Sequence, residues 1–168
     1  MDSPKRLSAF RIDDKKITIS GLPMPPTVNG MYATNFKTKR RFPSKNLSDF
    51  KNDIEHFHIL HKQEVNDCEI KIRKWLYDKM FLMVRIDFMF KKNRIFSKKD
   101  GKVLSLDASN RIKPIEDGIS KMLQFDDRHF FVGSYNKLWF ENVELDEWCD
   151  VILLPIPRLE YGIPNLSG

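Results

Sequence analysis

The acidic residues between positions 106 and 127 are the part of this sequence best suited to chemistry. Asp107 precedes a helical pattern, Asp117 lies on its polar side, and Asp126–Asp127 follows its end. Mg²⁺ takes one or two carboxylates together with waters and substrate phosphate oxygens, and it activates a water for hydrolysis. Lys113 on the same side is suited to steady a phosphate. The spacing indicates a phosphodiester-hydrolysing site, and the alternative is a solvated helix face followed by an ordinary turn.

A single amphipathic helix must position these residues. Its apolar stripe consists of Ile112, Ile115, Ile119, Met122 and Leu123. The opposite face carries Ser109, Lys113, Glu116 and Asp117, since steps of three and four residues stay on one side of a helix. Pro114 lacks an N–H and is tolerated only in the first turn, so we expect the helix to begin near Ser109 or Asn110.

The remaining chain predicts an α+β fold, with a small mixed sheet of about four strands packed against two to three helices. Alternating or apolar runs predict strands at 16–21, 80–90, 129–140 and 148–156. Helical periodicity predicts helices at about 48–63, with Ser48 as the N-cap, and at about 64–79. The proline-rich segment 22–33 is expected to be a loop. We expect one domain over 15–156, a polar lead-in over 1–14 and a loose tail over 157–168.

The charge balance favours a polyanionic partner. The chain of 168 residues has a formal net charge of +6 and a sequence pI of about 9.3, which favours nucleic acid over other partners. Two basic runs, at 37–45 and 91–102, are either DNA-binding loops or plain solvated loops. The candidate DNA-binding residues are Lys39, Arg40, Arg41, Lys91, Lys92, Arg94, Phe96, Lys98, Lys99 and Lys102, with Phe96 suited to base stacking.

Several classes of protein are disfavoured. No apolar stretch approaches 18 residues, so we expect no membrane span. The N-terminal residues contain no apolar signal-peptide core, and the two cysteines are far apart with no zinc-finger spacing. These features predict a cytoplasmic protein without a structural zinc site.

Two segments resemble the RusA family of Holliday-junction resolvases. The segment GLPMPPTVNGMY resembles the family's Leu-Pro-x-Pro-Pro-x-x-Asn-x-x-Tyr opening, with Asn29 and Tyr32 in register. The centre resembles the family order Asp-x-Asp-Asn-x-x-Lys, then Asp, Asp-Asp and a strand Lys. The matching residues here are Asp107, Ser109, Asn110, Lys113, Asp117, Asp126, Asp127 and Lys137. The resemblance covers roughly residues 17–154.

The resemblance implies a RusA-like endonuclease domain that acts as an intimate homodimer. It implies Mg²⁺-dependent paired nicking of four-way DNA junctions during recombination and repair. By position, Asp107 and Asp127 take catalytic and metal-binding roles, and Lys113 takes a catalytic role near the scissile phosphate. Asp126 and Asp117 are supporting metal candidates, and Asn110 and Lys137 are supporting residues.

Ser109 departs from the family pattern, which has Asp at this position. A hydroxyl is a neutral, weaker ligand for Mg²⁺, so Ser109 is interpreted either as a weakened ligand or as a helix cap. The basic run 91–102 is also longer than the family's approach to the first Asp. Two alternatives therefore stay open, a branched-DNA-binding protein with attenuated catalysis and an interaction protein whose acids are only a solvated face.

Overall fold

The structure, a computed structural model, describes residues 9–141 and 144–157. These residues have a mixed α+β architecture in which one sheet contains five strands and a second contains two. The strands are β1 (Ala9–Ile12), β2 (Ile17–Pro23), β3 (Tyr32–Thr34), β4 (Arg41–Pro43), β5 (Phe81–Lys91), β6 (Phe130–Phe140) and β7 (Trp148–Ile156). The four helices are α1 (Lys45–Leu60), α2 (Lys62–Tyr77), α3 (Lys92–Ile95) and α4 (Ile112–Met122). Three 3-10 turns cover Val28–Gly30, Ser109–Arg111 and Asp127–His129.

The five-stranded sheet has the order β1-β2-β7-β5-β6. All neighbouring pairs are antiparallel except β5 and β6, which run parallel from Leu82 opposite Phe130 to Lys91 opposite Phe140. A parallel pair cannot be joined by a hairpin and needs a crossover. The chain makes this crossover through α3, a long loop and α4.

The core lies between the helices and one face of this sheet. On β5 the side chains of Val84, Ile86, Phe88 and Phe90 are all buried, as their alternation predicts. Helix α1 contributes Phe50, Ile54 and Phe57, which recur at helical spacing, to the same cluster. Both cysteines, Cys68 and Cys149, are buried.

The predictions for the strands at 16–21, 80–90, 129–140 and 148–156 and for both long helices are confirmed in outline. The estimate of about four strands was too low, because β1 lies inside the expected lead-in and pairs with β2. The sheet therefore begins before the expected domain start at residue 15. Residues 158–168, most of the expected tail, lie outside the described residues.

The loop expected over 22–33 is only partly a loop. Pro23 is the last residue of β2, opposite Trp148 and beyond the stretch that pairs with β1. A proline is tolerated there because β1 does not need its missing N–H. Tyr32 begins β3, which pairs with β4 so that the first basic run lies in a hairpin. Within the described ranges, no helix is both long and apolar enough to cross a membrane.

The N-cap of α1 is Ser44 rather than the predicted Ser48. The Ser44 backbone is extended, and its Oγ accepts a hydrogen bond of 3.2 Å from the Leu47 N–H. Its hydroxyl also donates to the Gly30 carbonyl at 2.5 Å, and its N–H donates to the Met31 carbonyl at 2.8 Å. Ser48 lies inside the helix, where its hydroxyl donates to the Ser44 carbonyl. Ser44 thus links the β3–β4 hairpin to α1.

Replacing Ser44 should destabilise the protein more than replacing Ser48. We expect Ser44→Ala to lower the free energy of unfolding by about 1 to 2 kcal/mol, because a helix donor loses its acceptor. Ser48→Ala should change it by less than about 0.5 kcal/mol, since Ala is a better helix former. Urea unfolding followed by circular dichroism measures both values. Equal effects of the two variants would contradict the assignment of the cap.

Candidate active site

The crossover between β5 and β6 carries the candidate site. A 3-10 turn, Ser109–Arg111, leads into α4 at Ile112, slightly later than the predicted start. Pro114 is buried in the first turn of α4, where its missing N–H costs nothing. The predicted apolar stripe is confirmed, since Ile115, Ile119, Met122 and Leu123 are all buried. The polar face of α4 is consequently held toward solvent.

Asp107 is the centre of one polar group, just before the 3-10 turn. Its Oδ1 accepts hydrogen bonds from the Ser109 hydroxyl at 2.5 Å and the Asn110 N–H at 3.3 Å. Its Oδ2 accepts from the Asn110 side-chain amide at 2.5 Å. The hydrogen bond from Ser109 holds the pKa of Asp107 below its ordinary value, and the Asn110 N–H and the nearby Lys137 act in the same direction. Asp107 is therefore an exposed, charged and pre-oriented carboxylate.

Ser109 is not a helix cap. Neither the 3-10 turn nor α4 has a side-chain cap hydrogen bond, and the residue preceding α4 is Arg111. The cap alternative is wrong because the hydroxyl donates to Asp107 instead, while the Asp107 carboxylate receives the Asn110 N–H. Ser109 therefore orients an acid and stabilises its charge.

Lys113 is the centre of a second polar group, on the exposed face of α4. Its ammonium forms an ion pair with Asp117 at 2.8 Å, one helical turn further on, and another with Asp127. Lys113 holds the pKa of Asp127 below its ordinary value, and the two carboxylates raise the pKa of Lys113. The ammonium thus stays protonated at neutral pH. The predicted placement of Lys113 and Asp117 on one face of the helix is observed, and Asp127 joins them there.

Asp126 has a different role from its neighbour Asp127. Its backbone is extended, and its carboxylate accepts the Arg128 N–H at 2.9 Å, which caps the 3-10 turn before β6. This is the turn interpretation that the sequence left open for Asp126. Asp127, by contrast, directs its carboxylate to Lys113.

Glu116 lies close to the Lys113 group. The sequence analysis placed Glu116 on the polar face of the helix but gave it no role in the site. Burial raises the pKa of Glu116 above its ordinary value, the Lys113 charge opposes this, and Asp117 and Asp127 add to it. Glu116 lies over β6, since a Cβ placed on Gly133 would be 3.9 Å from its Oε1. Its spacing of three residues from Lys113 was the signal that could have identified it.

The donor types around α4 suit Mg²⁺. Asp107 and Asp127 offer exposed carboxylate oxygens, which Mg²⁺ prefers, and it needs only one or two of them from the protein. Among residues 9–141 and 144–157, no three His, Cys, Asp or Glu side chains form a ready cation cage. The donor types therefore fit an ion held largely by substrate and water, with Asp107 of the first polar group and Asp127 of the second as separate candidate ligands.

The two basic runs differ in how far their charges are neutralised. In the second run, Lys92 pairs with Glu141, Arg94 with Glu147 and Lys102 with Asp100. In the first run, no cation has an ion-pair partner within the described ranges. Its members are Lys37, Lys39, Arg40, Arg41 and Lys45. Phe96, the predicted stacking residue, is partly buried and packs edge-on against Trp139 at 5.1 Å, so its ring is committed to the fold.

The base of the hairpin and one candidate-site residue, Asp117, line a common cleft. A cleft of about 410 Å³ is lined by Tyr32 at the base of the hairpin, by Asp117 on α4, and by residues of α1 between them. Arg111 adds a second link, because its guanidinium donates to the Pro25 carbonyl in the loop that leads to the hairpin. The loop before the hairpin is thereby joined to the turn that precedes α4.

Comparison with protein-family models finds no match, and comparison with curated proteins finds no significant match.

Removing the Ser109 hydroxyl should raise the pKa of Asp107 toward its ordinary value. The hydroxyl donates to the charged form, so its loss makes protonation easier. A carboxyl ¹³C NMR titration of Ser109→Ala in EDTA measures this shift, and Ser105→Ala on the same exposed loop is the control. An unchanged Asp107 pKa in Ser109→Ala would show that the hydroxyl does not stabilise this carboxylate.

Proposed function

We propose that this protein is a Mg²⁺-dependent DNA endonuclease that nicks branched DNA, with four-way junctions as its substrate. The observation that carries the proposal is the convergence of Lys113, Asp117 and Asp127, which brings residues 14 positions apart into contact on one exposed face. A lysine held between carboxylates beside an exposed cleft combines the groups that phosphodiester hydrolysis needs.

Each residue has a distinct role in the proposal. Asp107 and Asp127 would hold the cation, which would supply an activated water and neutralise charge at phosphorus. Lys113 stays protonated, so it contributes charge stabilisation to the phosphate and does not act as a base. Ser109 and Asn110 keep Asp107 charged and oriented. Asp117 holds the Lys113 side chain in place.

The proposal that the substrate is DNA rests on the positive charge of the first basic run. The first basic run has five cations and no acid over 37–45. It belongs to the hairpin whose first residue, Tyr32, lines the same cleft as Asp117. Phosphates neutralised by such cations release counterions, which drives binding. The choice of a four-way junction rests on the resemblance to the RusA family described above.

A homodimer is part of the proposal. Strand β6 is an edge of the five-stranded sheet. It exposes the large apolar side chains of Phe131, Tyr135, Leu138 and Trp139, of which Tyr135 and Trp139 share one face and Leu138 lies on the other. An exposed apolar edge of this kind is typical of a surface that another chain covers. A second copy on this strand would place two candidate sites in one particle, as paired nicking requires.

A second candidate is a branched-DNA-binding protein with attenuated catalysis. The Ser109 hydroxyl, at the position where the RusA pattern has a second acid, donates its proton to Asp107. The position thus contributes no negative charge to a cation. Wild-type protein that binds a junction but does not nick it at millimolar Mg²⁺ would favour this candidate.

Replacing Asp127 should abolish nicking while sparing DNA binding. We expect Asp127→Asn to lower the nicking rate on a synthetic four-way junction in Mg²⁺ by about 100-fold or more, as for loss of a group that acts on the transition state. Affinity should stay the same or rise, since one negative charge near the DNA is lost.

The matched control for this prediction is Asp14→Asn. Asp14 pairs with Lys71 of α2, near the opposite edge of the sheet, so the nicking rate should be unchanged. An Asp127→Asn protein that nicks at the wild-type rate would remove Asp127 from the active site. Wild-type protein that neither binds nor nicks the junction would overturn the proposed function.

Neutralising the hairpin should flatten the salt dependence of junction binding. Each lost phosphate contact lowers the slope of log K against log salt by about 0.9. The double variant Lys39→Gln with Arg40→Gln should therefore lower it by about 2. The control double variant is Lys62→Gln with Lys74→Gln, which removes two exposed charges from α2. Equal slopes for the two double variants would contradict a specific role of the hairpin.

A further inference from the structure

The tip of the β3–β4 hairpin is an ordered turn. Asn35 organises it, since its N–H donates to the Arg40 carbonyl at 2.9 Å and its carbonyl accepts the Lys39 N–H at 2.7 Å. The Asn35 side chain accepts the N–H groups of Lys37 and Thr38 at 2.9 and 3.2 Å. Lys39 adopts a positive φ of 56° that lets the chain reverse. The hairpin thus presents its tip residues in a defined arrangement.

Phe36 lies at this tip and is 94% exposed. An aromatic ring gains most from burial, so leaving one in water is unfavourable unless something covers it. Its neighbours along the chain are the cations Lys37, Lys39 and Arg40, none of which has an ion-pair partner among residues 9–141 and 144–157. The tip is therefore a single exposed ring surrounded by positive charge.

The base of the hairpin is fixed beside the candidate active site. Ser44 ties it to α1 and to Gly30, as described above. The 3-10 turn Val28–Gly30 packs against the turn Ser109–Arg111, which contains the partners of Asp107. Phe36 is four positions beyond Tyr32, so at the strand rise of about 3.3 Å per residue its backbone lies at most roughly 13 Å from that of Tyr32, which lines the cleft.

We propose that Phe36 stacks on an unpaired nucleobase of the DNA that the hairpin cations hold. The inference rests on the proposed function, because it names the feature of the substrate that the same site would read. Aromatic rings flanked by Lys and Arg stack on exposed bases of any sequence. A branch point offers such bases, since unpaired or weakly stacked nucleotides cost least to expose.

The charge and size of the tip favour DNA over a lipid bilayer. Reversible membrane anchoring needs a large apolar face or two independent signals. The hairpin tip offers one ring, and Tyr32 and Phe42 at its base are only about half exposed, at 48% each. Tyr32 is also engaged below Arg41, at 5.9 Å from the guanidinium carbon to the ring centre.

A double-mutant cycle between protein and DNA tests the inference. Binding to a synthetic four-way junction is measured in EDTA for wild type and Phe36→Ala, with abasic sites placed one at a time around the branch point. We expect Phe36→Ala to weaken binding by about ten-fold, within the range for a lost base stack. At one position, the abasic site should weaken junction binding by wild type to a similar extent and should leave junction binding by Phe36→Ala unchanged. The abasic site and the substitution would then remove the same contact.

Two control variants complete the design. Phe36→Tyr keeps the ring and should bind within about two-fold of wild type. Val103→Ala removes another exposed apolar side chain, next to the second basic run, and should have no effect. Binding to linear duplex DNA should be the same for wild type and Phe36→Ala.

Equal losses by Phe36→Ala on junction and duplex, or additive losses at every abasic position, would overturn the inference. Loss of binding to vesicles containing phosphatidylserine, with junction affinity unchanged, would overturn it in favour of a membrane contact. Because the cycle is measured without Mg²⁺, its failure in a protein that nicks normally would leave the proposed nuclease intact. A protein that binds with the expected cycle but does not nick would refute the nuclease and support the stack.

Discussion

The parallel pairing of β5 and β6 is the constraint on which the site depends. Two parallel strands cannot be joined by a tight turn, so the chain must leave the end of β5 and return to the start of β6. The connection runs through α4, whose apolar stripe is buried against the core. Every candidate acid therefore lies on one crossover, with Asp107 before the helix, Asp117 on it and Asp127 after it.

Charge interactions then stabilise the acidic residues that the crossover brings together. Asp117 on α4 and Asp127 after it would repel each other, and Lys113 offsets this repulsion by pairing with both. Asp107 is stabilised separately by neutral donors from Ser109 and Asn110. The site thus keeps its acids charged by hydrogen bonds and by one ammonium, and it leaves their outer face open to solvent.

The sequence predicts the long, strongly periodic elements well and the short ones poorly. The apolar stripe of α4 and the buried run of β5 follow from side-chain periodicity, which core packing enforces. Strand β1 was missed because it is short and mostly exposed, so its burial carries no pattern. Ser44 and Ser48 are equally good caps by residue type, and only the backbone geometry distinguishes them. The pairing of Lys113 with Asp127 and the unpaired state of the first basic run depend on long-range contacts that spacing does not reveal.

The central claim is that the acids of this crossover bind a divalent cation. Titration of ¹⁵N-labelled protein with Mn²⁺, followed by paramagnetic broadening of backbone amides, locates such an ion directly and without DNA. Broadening should begin at residues 107–113 and 126–128 and should be reversed by excess Mg²⁺. Asp127→Asn should weaken it, and Asp14→Asn should not. Broadening centred elsewhere, such as on Asp49 and Asp53 of α1, or broadening that Asp127→Asn leaves unchanged, would contradict the account.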